Sequence, residues 1–189
     1  DVVVPTAAGH GPRPMATLGG AVRRMEAAKA ELLERARQAA EHARGGDPAL
    51  ASLLPRFYRH TAPEDLVGRS PEDVLGAVAS LRRLAEQRPQ GRALVRVVTP
   101  VAAEHGWECG HTVIETVTDD MPFLVDSVTG ELALAERGVH LVVHPQLVVR
   151  RDLTGALLEV LDLEVGDERP SDAIVESWMH IEIDRLAPG

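Results

Sequence analysis

The residues with the most chemistry to offer lie in one run, Thr116-Val-Thr-Asp-Asp-Met-Pro-Phe-Leu-Val-Asp-Ser-Val128. A β-rich stretch ends there, two acids follow, and Pro122 opens a helix. A helix N-terminus presents free backbone N–H groups and positive dipole potential. Two readings stay open. Asp119 or Asp120 caps those donors, worth about 0.5–2 kcal/mol. Alternatively the turn formed by Asp119, Asp120, Met121, Pro122 and Phe123 binds the polar head of a small molecule.

Other candidates are weaker. His140 and His144 are four residues apart. On a helix they could chelate a metal; on a strand they stand about 13 Å apart and cannot share one ion. His105, Cys109 and His111 form H-x3-C-x-H around Trp107. They offer three soft ligands, but a structural zinc usually takes four, so a plain turn between strands is expected. Asp126 and Ser127 lie inside a predicted helix and read as a surface pair, not a nucleophile elbow. Lys29, the one lysine, sits in an Ala-rich amphipathic helix and reads as a solvated charge. The chain has no G-x-G-x-x-G, no P-loop, no G-x-S-x-G and no H-E-x-x-H. No catalytic residue and no metal site is therefore assigned.

These residues need elements to hold them. Residues 1–17 carry Pro5, Gly9, Gly11, Pro12 and Pro14 and read as a tail. Residues 20–44 have Val22, Met25, Leu32, Ala36, Ala39 and Ala43 at helical steps, stopped by Gly45 and Gly46. That stripe is mostly alanine, so the helix needs a partner, expected outside this chain. Asp47-Pro48 starts a second helix, which Pro55 is expected to split. Ser70-Pro71-Glu72-Asp73 is a variant capping box, with Val74, Val78, Leu81 and Ala85 on the face that follows.

The period then changes. Strands are predicted at 94–98 and 113–117, a helix over 122–137, and strands at 139–149, 156–165 and 178–184. In the last, Met179, Ile181 and Ile183 oppose Trp178, His180, Glu182 and Asp184. Pro145 implies an edge or bulge. The acidic stretch 162–172 reads as a loop.

Composition sets the class. The chain has 189 residues, 44% hydrophobic and 26% charged, which excludes wholesale disorder. Net charge is −9, divided as 14 Lys/Arg against 11 Asp/Glu before residue 93 and 6 against 18 from there on. The acidic half argues against nucleic acid. No apolar run is long enough for a membrane span, and no signal peptide is evident. A single cysteine, Cys109, fits a reducing cytoplasm.

The block His111-Thr-Val-Ile-Glu-Thr-Val-Thr-Asp-Asp-Met-Pro-Phe-Leu-Val-Asp-Ser-Val128 resembles the N-terminal region of the large bacterial NAD-specific glutamate dehydrogenases. So do His140-Leu-Val-Val-His-Pro145, Val149-Arg-Arg-Asp152 and Glu176-Ser-Trp-Met-His-Ile-Glu-Ile-Asp-Arg185. Tyr58-Arg59-His60 and Leu94-Val-Arg-Val-Val98 are similar too. The resemblance implies an ACT-like, regulatory βαββαβ module. Asp120-Met-Pro-Phe-Leu-Val resembles the ACT strand-to-helix turn, Asp-x-Pro-Gly-x-x, where a small residue lets an amino acid approach the backbone. Phe123 stands at that glycine, and its side chain is expected to fill the ligand's space.

The expected fold is α+β: a helical segment over 18–92, then an ACT-like βαβ sheet module over 93–189, truncated before its second helix and last strand or completed by 94–98. The expected function is a non-catalytic regulatory and assembly region. NAD belongs to the parent enzyme, and no cofactor to this piece. Its partners would be the rest of the dehydrogenase, other subunits and an amino-acid effector. A free-standing sensor and a pure oligomerisation domain are the alternatives.

Overall fold

The computed structural model describes residues 16–42 and 46–187. The expected tail, apart from residues 16 and 17, lies outside the described residues, as do Ala43 and Gly45. Four helices come first: α1 (Ala16–His42), α2 (Pro48–Phe57), α3 (Pro63–Leu66) and α4 (Pro71–Ala85). Their starts follow the sequence signals. The Asp47 carboxylate accepts from Leu50 N at 2.9 Å, with Pro48 in the first turn. Ser70 Oγ accepts from Asp73 N at 3.0 Å and donates to Asp73 Oδ2 at 2.6 Å.

Three helical expectations are corrected. Pro55 does not split α2. It is exposed and near the helix end, so little of the hydrogen-bond ladder is lost. The α1 helix finds its partners within the chain, against α2, α3 and α4. Its buried stripe is Lys29, Leu32, Ala36 and Ala40, while Val22 is exposed. Lys29 is thus not a solvated charge. Its Nζ donates to Thr61 O at 2.6 Å and Arg59 O at 3.4 Å, tying α1 to the chain leaving α2.

The second half forms one antiparallel sheet from β1 (Leu94–Val98), β2 (Thr112–Asp119), β3 (Val139–Val143), β4 (Gln146–Arg151), β5 (Leu157–Val160) and β6 (Ala173–Ile183). A short α5 (Ala102–His105) and α6 (Leu124–Leu134) interrupt the series. The strand order is β1-β2-β6-β4-β5, with β3 also on β6. The predicted strand 139–149 is therefore two. Val143 pairs with His180 and Gln146 with Ser177, so the register is continuous across the gap. Pro145 has no N–H to add to the ladder, yet its carbonyl still accepts from Trp178 N at 3.1 Å. The helix predicted over 122–137 is shorter, Leu124–Leu134, and the chain turns away from it at Glu136, whose φ is 54°. The last strand is longer, starting at Ala173 instead of 178. The βαββαβ order implied by the resemblance is replaced. After α6 come four strands in succession, and β6 becomes central.

The α1–α4 layer covers one sheet face. Leu53, Leu54, Phe57, Val78 and Leu81 meet Val117, Leu141, Val143, Leu147, Val149 and Trp178 in a core that runs across residue 93. The other face meets α6, where Leu132 packs on Met179, Ile181 and Ile183. A third cluster joins α4 to the β1–β2 connection through Ala77, Trp107 and Val113. Gly76 in α4 lets Trp107 in, because a Cβ there would lie 2.3 Å from both Trp107 Cβ and Cγ. Alanine in a helix is ordinarily about 1 kcal/mol better than glycine. Here Gly76→Ala should instead destabilise the protein by about 1–3 kcal/mol through overpacking. Urea melts followed by tryptophan fluorescence test this, and a stabilised variant would refute it.

Candidate functional site

The acids of the predicted turn do not cap the helix that follows them. Helix α6 begins after Phe123, which has φ 65° and makes no side-chain cap. Neither aspartate caps it. Asp119 turns toward the helical layer, accepting from Arg88 Nη2 at 2.6 Å and Gly91 N at 3.1 Å. Asp120 accepts from Ser177 Oγ at 2.5 Å and Gln146 Nε2 at 2.9 Å. Met121, Pro122 and Phe123 are exposed. The Phe123 ring does not fill the turn, since the residue is 76% exposed. It adopts the left-handed conformation that the usual glycine adopts freely, and it projects outward.

His144 Nε2 lies 3.0 Å from Ser177 Oγ, giving a row His144–Ser177–Asp120. Burial pushes the His144 pKa below its ordinary value, and Asp120 offsets this only in part. The row does not make a triad, in which histidine stands between the nucleophile and the acid. Ser177 is also fully buried. His140 has other partners, with Nε2 2.7 Å from Asp184 and its ring stacked on His111 at 4.2 Å. The two histidines share no ligand position. Asp126 and Ser127 are exposed on α6, as expected of a surface pair.

The concentrated chemistry lies under the helices. Alternation along β6 puts Glu176, Trp178, His180 and Glu182 on the face that α1–α4 cover, and all four are buried. Sequence reasoning found the alternation but not the charge cluster it builds. Glu176 receives Arg88 Nε at 2.9 Å, Arg151 Nε and Nη2 at 2.6 and 2.9 Å, and Trp178 Nε1 at 2.9 Å. Arg88 also reaches Asp119 and Arg92 O, and Arg151 reaches Ala85 O and Gly155 O at 2.8 Å each. Two guanidiniums thereby bind the end of α4, the approach to β1, the end of β2, the β4–β5 turn and β6. Burial raises the Glu176 pKa, but hydrogen bonds from Arg151 and Trp178 outweigh it and keep the carboxyl below its usual range. A cleft of about 380 Å³ opens beside this cluster, lined in part by Arg88, Arg151, Asp152 and Asp172.

At the other end, Glu182 accepts from Arg69 Nη1 and Nη2 at 2.6 and 2.9 Å. His111 Nδ1 lies 3.0 Å from its Oε2, and His180 Nε2 lies 3.3 Å from its Oε1. Cys109 completes a group whose ligand atoms lie within 4.8 Å of one another: Cys109, His111 and Glu182. His105 is not in it, because its ring nitrogen bonds back to Val101. Between the two ends, buried Glu115 pairs with Arg96, which also donates to Ser80 O and Oγ.

Burial pushes Glu182 up, but bonds from His180 and Arg69 more than offset this and hold its pKa at about 2. An unfolded glutamate titrates near 4.3. The lowered folded pKa therefore stabilises the protein above about pH 4.3, and the contribution is lost as pH falls toward 2. It is on the order of 3 kcal/mol. Glu182→Gln should flatten urea stability between pH 5 and about 2.5. Profiles that stay parallel would show that Glu182 carries no such linkage.

The family profile described as "Glutamate dehydrogenase, ACT1 domain" matches residues 53–188, from within α2 to the end of the sheet. The chain belongs to the glutamate dehydrogenase ACT1 domain family. The NAD-specific glutamate dehydrogenase of Pseudomonas aeruginosa is 35% identical to it over 145 residues, covering 75% of this chain and 9% of that protein. The NAD-specific glutamate dehydrogenase of Halomonas elongata is 38% identical over 129 residues, covering 68% of this chain and 8% of that protein. The ACT1 chain thus spans less than a tenth of either relative. No solved structure matches it. The ACT1 sheet is six-stranded and antiparallel with interleaved helices, and no described helix is long and apolar enough to cross a membrane.

Proposed function

We propose that this chain is the N-terminal regulatory and assembly region of a large NAD-dependent glutamate dehydrogenase and performs no turnover itself. The parent reaction would be the oxidative deamination of glutamate to 2-oxoglutarate, with NAD held elsewhere in the parent. The observation that carries this reading is where the apolar surface lies. Phe123 and Leu134, at the two ends of α6, are 76% and 81% exposed. Val95 and Val97 on edge strand β1 are 65% and 56% exposed. The buried acids Glu115, Glu176 and Glu182 are meanwhile all engaged by arginines. Such a surface invites protein contacts, and such an interior offers no poised catalyst. The partners are the remainder of the dehydrogenase and its other subunits in the cytoplasm, with neither nucleic acid nor membrane.

Two measurements test it. The chain alone should not reduce NAD with glutamate. A parent enzyme carrying Phe123→Ser with Leu134→Ser should lose mass by light scattering. Turnover by the chain, or an unchanged assembly, would overturn the proposal. One observation favours a second reading, an amino-acid sensor: the outward Phe123 ring leaves the ACT-like turn uncovered. An effector at 100 times its dissociation constant would then add about 2.7 kcal/mol of stability. A thermal-shift screen over the amino acids with no response would exclude it.

A further inference from the structure

We propose that Cys109, His111 and Glu182 bind a soft divalent transition-metal ion, with zinc as the best match. The residue types are right: thiolate sulfur, imidazole nitrogen and one carboxylate oxygen make a mixed zinc set. The three come from two distant parts of the chain, the β1–β2 connection with its entry to β2, and the end of β6. The fold, not a local turn, brings them together.

The geometry is close to that required. Metal–ligand bonds of about 2.0–2.3 Å place tetrahedral ligand atoms roughly 3.3–3.8 Å apart. The His111 and Glu182 atoms, 3.0 Å apart, need open by only a few tenths of an ångström, and the whole set lies within 4.8 Å. The remaining closure falls on Cys109, in a loop bounded by Gly106 and Gly110 with φ 78° and 77°. Its thiol holds only a long bond of 3.7 Å to His111 O, so little is lost when it swings.

The metal takes the place of the proton between His111 Nδ1 and Glu182 Oε2, which passes to solvent while the neutral ring carries its one proton on Nε2. Arg69 keeps its own bonds to Glu182. The Cys109 thiol proton leaves to solvent as the sulfur binds. With Glu182 neutralised by Arg69, a divalent ion and one thiolate leave a single positive charge. Asp73 and Cys109 both line a cleft of about 440 Å³. Water or an outside donor would complete a four-coordinate shell.

The experiment is cobalt titration of the reduced 189-residue chain, followed by zinc displacement. One equivalent of Co²⁺ should give tetrahedral ligand-field bands and a thiolate-to-cobalt charge-transfer band, both removed by zinc. Cys109→Ser should abolish the charge-transfer band with the circular dichroism of the fold intact. His111→Ala should abolish tight binding, and His105→Ala should change neither. Glu182→Gln is not needed, so a folding defect there does not decide the matter. Failure to bind cobalt, binding without the thiolate band, or a band that survives His111→Ala or depends on His105 would each overturn the proposal.

Discussion

Glu176→Gln is expected to lower the unfolding free energy by about 3–5 kcal/mol, the usual loss when one partner of a buried ion pair is removed. The size follows from what stays behind. Arg88 and Arg151 are buried at 0% and 5% side-chain exposure and remain charged. Asp119, itself partly exposed, is the remaining acid on Arg88. An amide of the same shape would accept fewer of the bonds and none of the charge. The loss should appear in urea melts at neutral pH. Combining Glu176→Leu with Arg151→Met should cost less than the sum of the single changes, because the pair goes together. Additive losses would show that the guanidiniums find other partners, and the expected cost of leaving them buried and unpaired would fail.

Trp178→Ala is the second large effect, again about 3–5 kcal/mol. Trp178 is fully buried in the main core, facing the helices from the central strand. Its Nε1 also donates to Glu176 Oε2. Trp178→Phe separates the two roles. It preserves most of the apolar volume and removes the bond to a charged group, a loss of about 1.5–3 kcal/mol. If Phe and Ala prove equally damaging, the hydrogen bond dominates and the packing argument is wrong.

Local chemistry was well legible in the sequence. Ser70 and Asp47 cap their helices where the signals stand, and Val74, Val78, Leu81 and Ala85 are all buried on one face. Strand positions were legible through alternation, and so was the ACT-like resemblance. The direction in which each polar face points was not. The alternation set Trp178, His180 and Glu182 opposite Met179, Ile181 and Ile183 without telling which side is the more deeply covered, and the polar side lies beneath the helical layer. The cause is long-range pairing. Arg69 and Arg88 come from the helical half, far from Glu182 and Glu176 in sequence, and a guanidinium without a partner in view reads as solvated. Lys29 was misread for the same reason, since its acceptors are backbone carbonyls that no side-chain pattern announces. The turn at Asp119 and Asp120 shows the converse. The acids sit where the motif puts them, but closer donors on Arg88, Ser177 and Gln146 outcompete the helix end.

The central position of β6 sets an order of assembly. It is the last of the described strands, yet Thr112 pairs with Ile183, Asp119 with Glu176 and Gln146 with Ser177 through it. During synthesis the β1–β2 hairpin and the β3–β4–β5 stretch emerge with no strand between them. Their inner edges must wait, exposed to wrong pairing, until β6 clears the ribosome. Such a high contact order predicts folding in milliseconds to seconds rather than microseconds. A nascent chain stalled before residue 173 should remain protease-sensitive throughout the sheet, then become resistant in a single step once β6 is released.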